Sequence, residues 1–109
     1  MDLVTSRKQS NNHKLYFSKS ELTKILGCYS VGVSRGSWKD YAINFYQNEA
    51  IFYIYKHSLA SPDCILIKFK EKRKKKVIFS LSVNNKKNSK YDNIDSLITS
   101  LKRKQLKLI

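Results

Sequence analysis

A chain of 109 residues carrying a formal net charge of +14 at pH 7 has room for one small domain. Such a domain buries only roughly 60–65% of the surface its unfolded chain exposes, which leaves space for one binding surface but scarcely for a deep cleft. The charge makes nucleic acid, anionic lipid or an acidic protein the natural partners, and the absence of any run of about 18 apolar residues excludes a membrane-spanning helix.

Residues 1–14 are polar and rich in Ser, Asn, Arg and Lys, the composition of a flexible basic arm. Leu3 and Val4 are the only aliphatics after the initiator, so this segment lacks the hydrophobic region of a signal peptide and the protein is expected to be cytoplasmic and unprocessed. Residues 15–109 read as a single small domain. Its start is marked by Phe17-Ser18-Lys19-Ser20-Glu21-Leu22. Ser18 is placed to cap a helix, Glu21 at N3 to bond back to the cap, and Phe17 to staple onto Leu22. Leu22, Ile25, Leu26 and Tyr29 continue with helical spacing. Gly27 weakens the helix interior but permits close packing against a sheet. The helix is expected to end near Gly32, with Ser34-Arg35-Gly36-Ser37 as a turn.

Two aromatic and β-branched runs between Trp38 and Tyr55 flank Gln47-Asn48-Glu49, which is a hairpin signal. Tyr41, Ile43 and Phe45 alternate on one strand and Ala50, Phe52 and Ile54 on the next, so one face is apolar while Tyr53 and Tyr55 point to the other. A third strand is expected over Asp63–Lys70, with Ile65, Ile67 and Phe69 on one face; Pro62 at its start suggests a sheet edge. Glu71 to Lys75 forms a charged loop, and Lys76–Val83 a fourth strand with two clearly different faces. Asn84–Lys90 is polar loop, with a short extra strand as the alternative. Asp92 or Asn93 can cap a final helix striped by Ile94, Leu97, Ile98 and Leu101, and Lys102-Arg103-Lys104 suit its negative end. The expected fold is α+β: a four-stranded antiparallel meander between an N-terminal and a C-terminal helix packed on one sheet face.

Tyr16 to Leu26, then Tyr29, Gly36, Trp38-Lys39-Asp40-Tyr41-Ala42-Ile43-Asn44-Phe45 and Ala50-Ile51-Phe52, carry a resemblance. This stretch resembles the small alphaproteobacterial family catalogued as domain of unknown function 2794, in which a Trp-basic-Asp-Tyr-Ala-Ile block follows a capped helix. The resemblance is carried mainly by Tyr16 to Ile54. It implies a bacterial, cytoplasmic domain and brings no activity, cofactor or ligand.

Residue by residue, the chain offers no catalytic signature and no metal or cofactor set. His13 lies in the arm and His57 after a strand, no serine sits in a nucleophile elbow, and the glycines match neither a phosphate loop nor a dinucleotide fingerprint. Asp40, at a strand entrance near Arg35, reads as an ion-pair partner or turn cap. Gly32 to Ser37 reads as an ordinary turn, with a small anion nest as the other reading. Cys28 and Cys64, the only cysteines, read as buried apolar groups; with His57 they lack the close ligand pairs of a zinc site. Phe17, Ser18, Glu21, Leu22, Trp38, Asp40 and Tyr41 are the expected structural anchors, with Trp38 at the corner between helix and sheet.

The electrostatic pattern is more informative. Lys68 and Lys70 share a face of the third strand, Lys72, Arg73, Lys74, Lys75 and Lys76 form the following loop, and Lys86, Lys87 and Lys90 follow the fourth strand. Together they are a candidate phosphate-reading patch, with Tyr53 and Tyr55 as a stacking platform for RNA or another single strand. The alternative is an accessory protein-interaction domain whose charge is compositional, since lysine, asparagine and isoleucine also accumulate under an A+T-rich genome. Oligomeric state is not readable from these residues, although an open sheet face or edge would carry any interface.

Overall fold

In the computed structural model, residues 14–57 and 61–107 are described. The expected arm, residues 1–14, lies outside them apart from Lys14. In chain order the elements are α1 (Lys19–Ser34), β1 (Asp40–Phe45), β2 (Glu49–Tyr55), β3 (Cys64–Glu71), β4 (Lys76–Val83), β5 (Ser89–Tyr91) and α2 (Ile94–Lys107). The fold is α+β, with an antiparallel sheet in the order β1-β2-β3-β4-β5. Five strands replace the expected four. Asn84 and Asn85 both have positive φ, 54° and 59°, and Lys86 N–H donates to Val83 C=O at 3.0 Å. That is a tight turn of the kind that matches strand twist, and asparagine tolerates it better than most residues. It returns the chain so that Ser89–Tyr91 pairs with Phe79–Leu81.

The expected edge strand is instead the centre of the sheet: β3 pairs with β2 on one side and β4 on the other. Pro62 precedes the ladder, which opens with Asp63 N–H donating to Ile54 C=O at 2.7 Å, so its missing N–H is never required.

At the start of α1, Glu21 N–H donates to Ser18 Oγ at 3.1 Å and Ser18 N–H to Glu21 Oε1 at 2.8 Å, a complete capping box. The helix runs two residues past Gly32. It stops in a Schellman motif: Ser37 N–H donates to Gly32 C=O at 2.8 Å and Gly36 N–H to Val33 C=O at 3.0 Å, with Gly36 at φ 80°. Left-handed backbone there is what glycine permits. Asn93 caps α2, its Oδ1 accepting Ser96 N–H at 2.8 Å.

Both helices cover the same sheet face. Ile25 and Cys28 of α1, with Ile94, Leu97, Ile98 and Leu101 of α2, pack into one core with Ala50, Phe52 and Ile54 of β2, Cys64 and Leu66 of β3, and Phe79 and Leu81 of β4. Trp38 is 1% exposed. It stacks on Tyr29 at 6.3 Å, and its indole N–H donates to buried Asp63 at 3.1 Å. Gly27 makes no close packing contact: a Cβ there would meet nothing within 4 Å.

The buried face of β3 is Cys64, Leu66 and Lys68, opposite Ile54, Phe52 and Ala50. The expected apolar row, Ile65, Ile67 and Phe69, points the other way. Alternation could not choose between them because both rows are largely apolar. What permits a lysine on the covered face is its partner, Glu21, whose Oε1 lies 2.8 Å from Lys68 Nζ.

Candidate functional site

Because side chains alternate along strands, the register defines what the helices leave open. That face carries Ile51, Tyr53 and Tyr55 of β2, Ile65, Ile67 and Phe69 of β3, and Ile78, Ser80 and Ser82 of β4. Ala42 of β1 adjoins Tyr53, and Lys90 of β5 lies opposite Ser80. Tyr53, Tyr55 and the β3 row are half-buried against one another. Lys90 Nζ stands 5.9 Å above the Phe69 ring, within cation–π range.

The basic residues divide into groups instead of converging on one patch. Lys68 is withdrawn altogether: besides Glu21, its ammonium donates to Tyr16 C=O at 2.9 Å, and its side chain is 11% exposed. Lys70 shares that covered face but reaches solvent at its end, where it borders a shallow depression with Asn48, Glu71, Lys72 and Lys75. Lys74, Lys76 and Lys90 surround a second depression with Phe69, Glu71 and Asp92. Both depressions contain carboxylates, and Lys76 pairs with Asp92 at 3.5 Å. Arg73 is exposed in the same hairpin turn.

Lys86 and Lys87 lie at the opposite end of β4, after the Asn84-Asn85 turn. There they meet Arg103 and Lys104 of α2 around a recess of about 220 Å³. Those two α2 residues were legible in the sequence only as complements of a helix end; their proximity to the loop depends on how α2 crosses β4 and β5. Tyr53 pairs with Ile65, six residues along β3 from Glu71 (71 − 65), so the tyrosines stand roughly 20 Å from the hairpin at about 3.3 Å per residue. They are nearer the Lys86–Lys87 end.

The other candidates have structural surroundings. Asp40 Oδ1 accepts the Tyr41 N–H at 2.8 Å. The amides of Arg35, Gly36, Ser37 and Trp38 all donate to carbonyls of α1, leaving none of the four for an anion, so the nest reading of this turn is withdrawn. Burial pushes the Cys28 thiol up, and burial followed by the adjacent Asp63 carboxylate pushes Cys64 up to about 12, the opposite of an activated thiolate. No group of three or more His, Cys, Asp or Glu among the described residues is placed to hold a metal ion. No helix among them is long and apolar enough to cross a membrane.

The family model described as "Protein of unknown function (DUF2794)" matches residues 15–95. The match runs beyond Ile54, through the lysine hairpin and β5, to the first turn of α2. No curated protein and no solved structure matches the chain. With most of its length covered, the chain belongs to the DUF2794 family.

Proposed function

We propose that this chain is a non-catalytic domain that binds single-stranded nucleic acid across the open face of its sheet. The observation that carries the reading is the combination on and around that face: Tyr53, Tyr55 and Phe69 on central strands, Lys90 beside Phe69, and lysine-rich loops beyond both ends. Aromatic rings give bases a sequence-tolerant stacking surface, and lysines at each end receive the backbone as it enters and leaves. The contacts assigned are Tyr53, Tyr55, Lys72, Arg73, Lys74, Lys75, Lys76, Lys86, Lys87 and Lys90, with Lys70 at the margin. Lys68 is not among them. A polyanion also relieves the mutual repulsion of a chain at +14, whereas pressing two copies together would add to it.

A protein partner is the second reading, favoured by the half-buried Ile51, Ile65 and Ile67 on the same face. The two readings separate on a Tyr53→Ala/Tyr55→Ala variant titrated with a labelled single strand. Stacking predicts a loss of about 1–3 kcal/mol per base with the fold intact. Unchanged affinity in the folded variant would remove the face from nucleic-acid binding and leave it to a protein.

A further inference from the structure

The recess between the β4–β5 loop and α2 differs from the other basic regions among the described residues. Lys86 and Lys87 approach it from one side, Arg103 and Lys104 from the other, and no carboxylate among the described residues lines it. The ion pairs among the described residues lie elsewhere, joining Lys24 to Asp95, Lys68 to Glu21 and Lys76 to Asp92. Hydroxyls complete the wall: Tyr91 O–H donates to Ser100 Oγ at 2.8 Å, which leaves the Ser100 proton free to donate outward. The loop is held in place as well, since Ser82 O–H donates to Lys86 C=O at 3.1 Å beyond the Asn84-Asn85 turn.

We infer that this recess is a binding site for a phosphate-class oxyanion, of pyrophosphate size or smaller. Four cations with no carboxylate between them among the described residues repel one another, and an anion between them offsets that repulsion with an attraction to each. Arginine supplies a planar fork for two phosphate oxygens, and the lysines and hydroxyl supply single donors. A volume of about 220 Å³ falls below the roughly 300–1,000 Å³ typical of drug-sized ligands and suits a compact anion. The recess lies on the helix side of the sheet and shares Lys86 and Lys87, but neither Tyr53 nor Tyr55, with the open-face contacts, so it does not depend on base stacking there. The phosphate can belong to a free oligophosphate or to the end of a nucleic-acid strand.

Calorimetric titration of the full chain with pyrophosphate, at low ionic strength, provides the test. The Arg103→Gln/Lys104→Gln variant is expected to bind at least about tenfold more weakly. Lys74→Gln/Lys75→Gln removes the same charge from the hairpin and is expected to change affinity by less than about twofold. Both pairs are exposed, and a thermal melt verifies that each variant is folded. Tyr53→Ala/Tyr55→Ala should leave pyrophosphate binding unchanged, which separates this site from the open face. Equal weakening in the two charge variants, or no binding at millimolar pyrophosphate, would overturn the inference. Oligonucleotides with and without a 5′-phosphate distinguish the sources: a preference abolished by Arg103→Gln/Lys104→Gln identifies a strand end, and its absence with pyrophosphate still bound identifies a free oligophosphate.

Discussion

Replacing Lys68 by methionine removes the one buried cation among the described residues while keeping most of its aliphatic volume. Lys68 Nζ lies 2.8 Å from Glu21 Oε1, with the two side chains 11% and 17% exposed. In the variant, the Glu21 carboxylate keeps its bond from Ser18 N–H at 2.8 Å but loses its counter-charge, and Tyr16 C=O loses its donor. Removing one partner of a fully buried pair costs about 3–5 kcal/mol. Partial exposure and the surviving cap bond reduce this to about 2–3 kcal/mol here. For a domain of about 100 residues the melting temperature should fall by roughly 10–20 °C. Thermal and urea denaturation measure the loss. The Glu21→Gln/Lys68→Met double variant should recover part of it, because both charges are then gone. A single-variant loss under about 0.5 kcal/mol, or a double variant no more stable than the additive sum, would refute a structural ion pair. The folded Lys68→Met protein should also bind nucleic acid as well as the parent chain.

Two further outcomes follow from the fold. Gly27→Ala should stabilise the protein by about 0.5–1 kcal/mol in chemical denaturation, since the position is helical and its Cβ would meet open space; destabilisation would mean that α1 packs more closely there. Cys64 ionises near its ordinary 9.0 once unfolded but only at about 12 when folded. The native state therefore holds a proton that the unfolded state releases, so its contribution is complete below pH 9 and is lost between pH 9 and about 12. Melting temperature should fall over that window, less so in Cys64→Ala measured against its own neutral-pH value. Thiol alkylation at pH 8 should require unfolding.

Local devices were legible in the sequence because they are local. The Ser18–Glu21 box, a cap at Asp92 or Asn93, which the structure places at Asn93, and the alternation of Tyr41, Ile43 and Phe45 depend on spacings of two to four residues, where backbone geometry leaves few choices. The face of β3 was not legible: Cys64-Ile65-Leu66-Ile67 is apolar at every position, and only a partner 47 residues away, Glu21, makes room for Lys68 on the covered side. Counting lysines along the chain grouped Lys72–Lys76 with Lys86 and Lys87, although β4 separates the two loops. The same strand brings Lys86 and Lys87 to Arg103 and Lys104, a juxtaposition that no periodicity encodes. β5 was missed as a firm element because its signal lies in the Asn84-Asn85 turn and not in its three polar-to-aromatic residues.

The most direct test of nucleic-acid binding is a salt titration of affinity for a random single strand and for a duplex of equal length. Each neutralised phosphate contributes a slope of roughly 0.7 in log affinity against log salt for a single strand and 0.9 for a duplex. The open-face account predicts tighter binding of the single strand, a steep slope, and a reduction of both affinity and slope when Lys74, Lys75 and Lys76 are changed to glutamate. The same reversal at Lys14, Lys19 and Lys24, away from that face, should do less. Equal losses from the two triple variants, or no measurable binding at low salt, would contradict it.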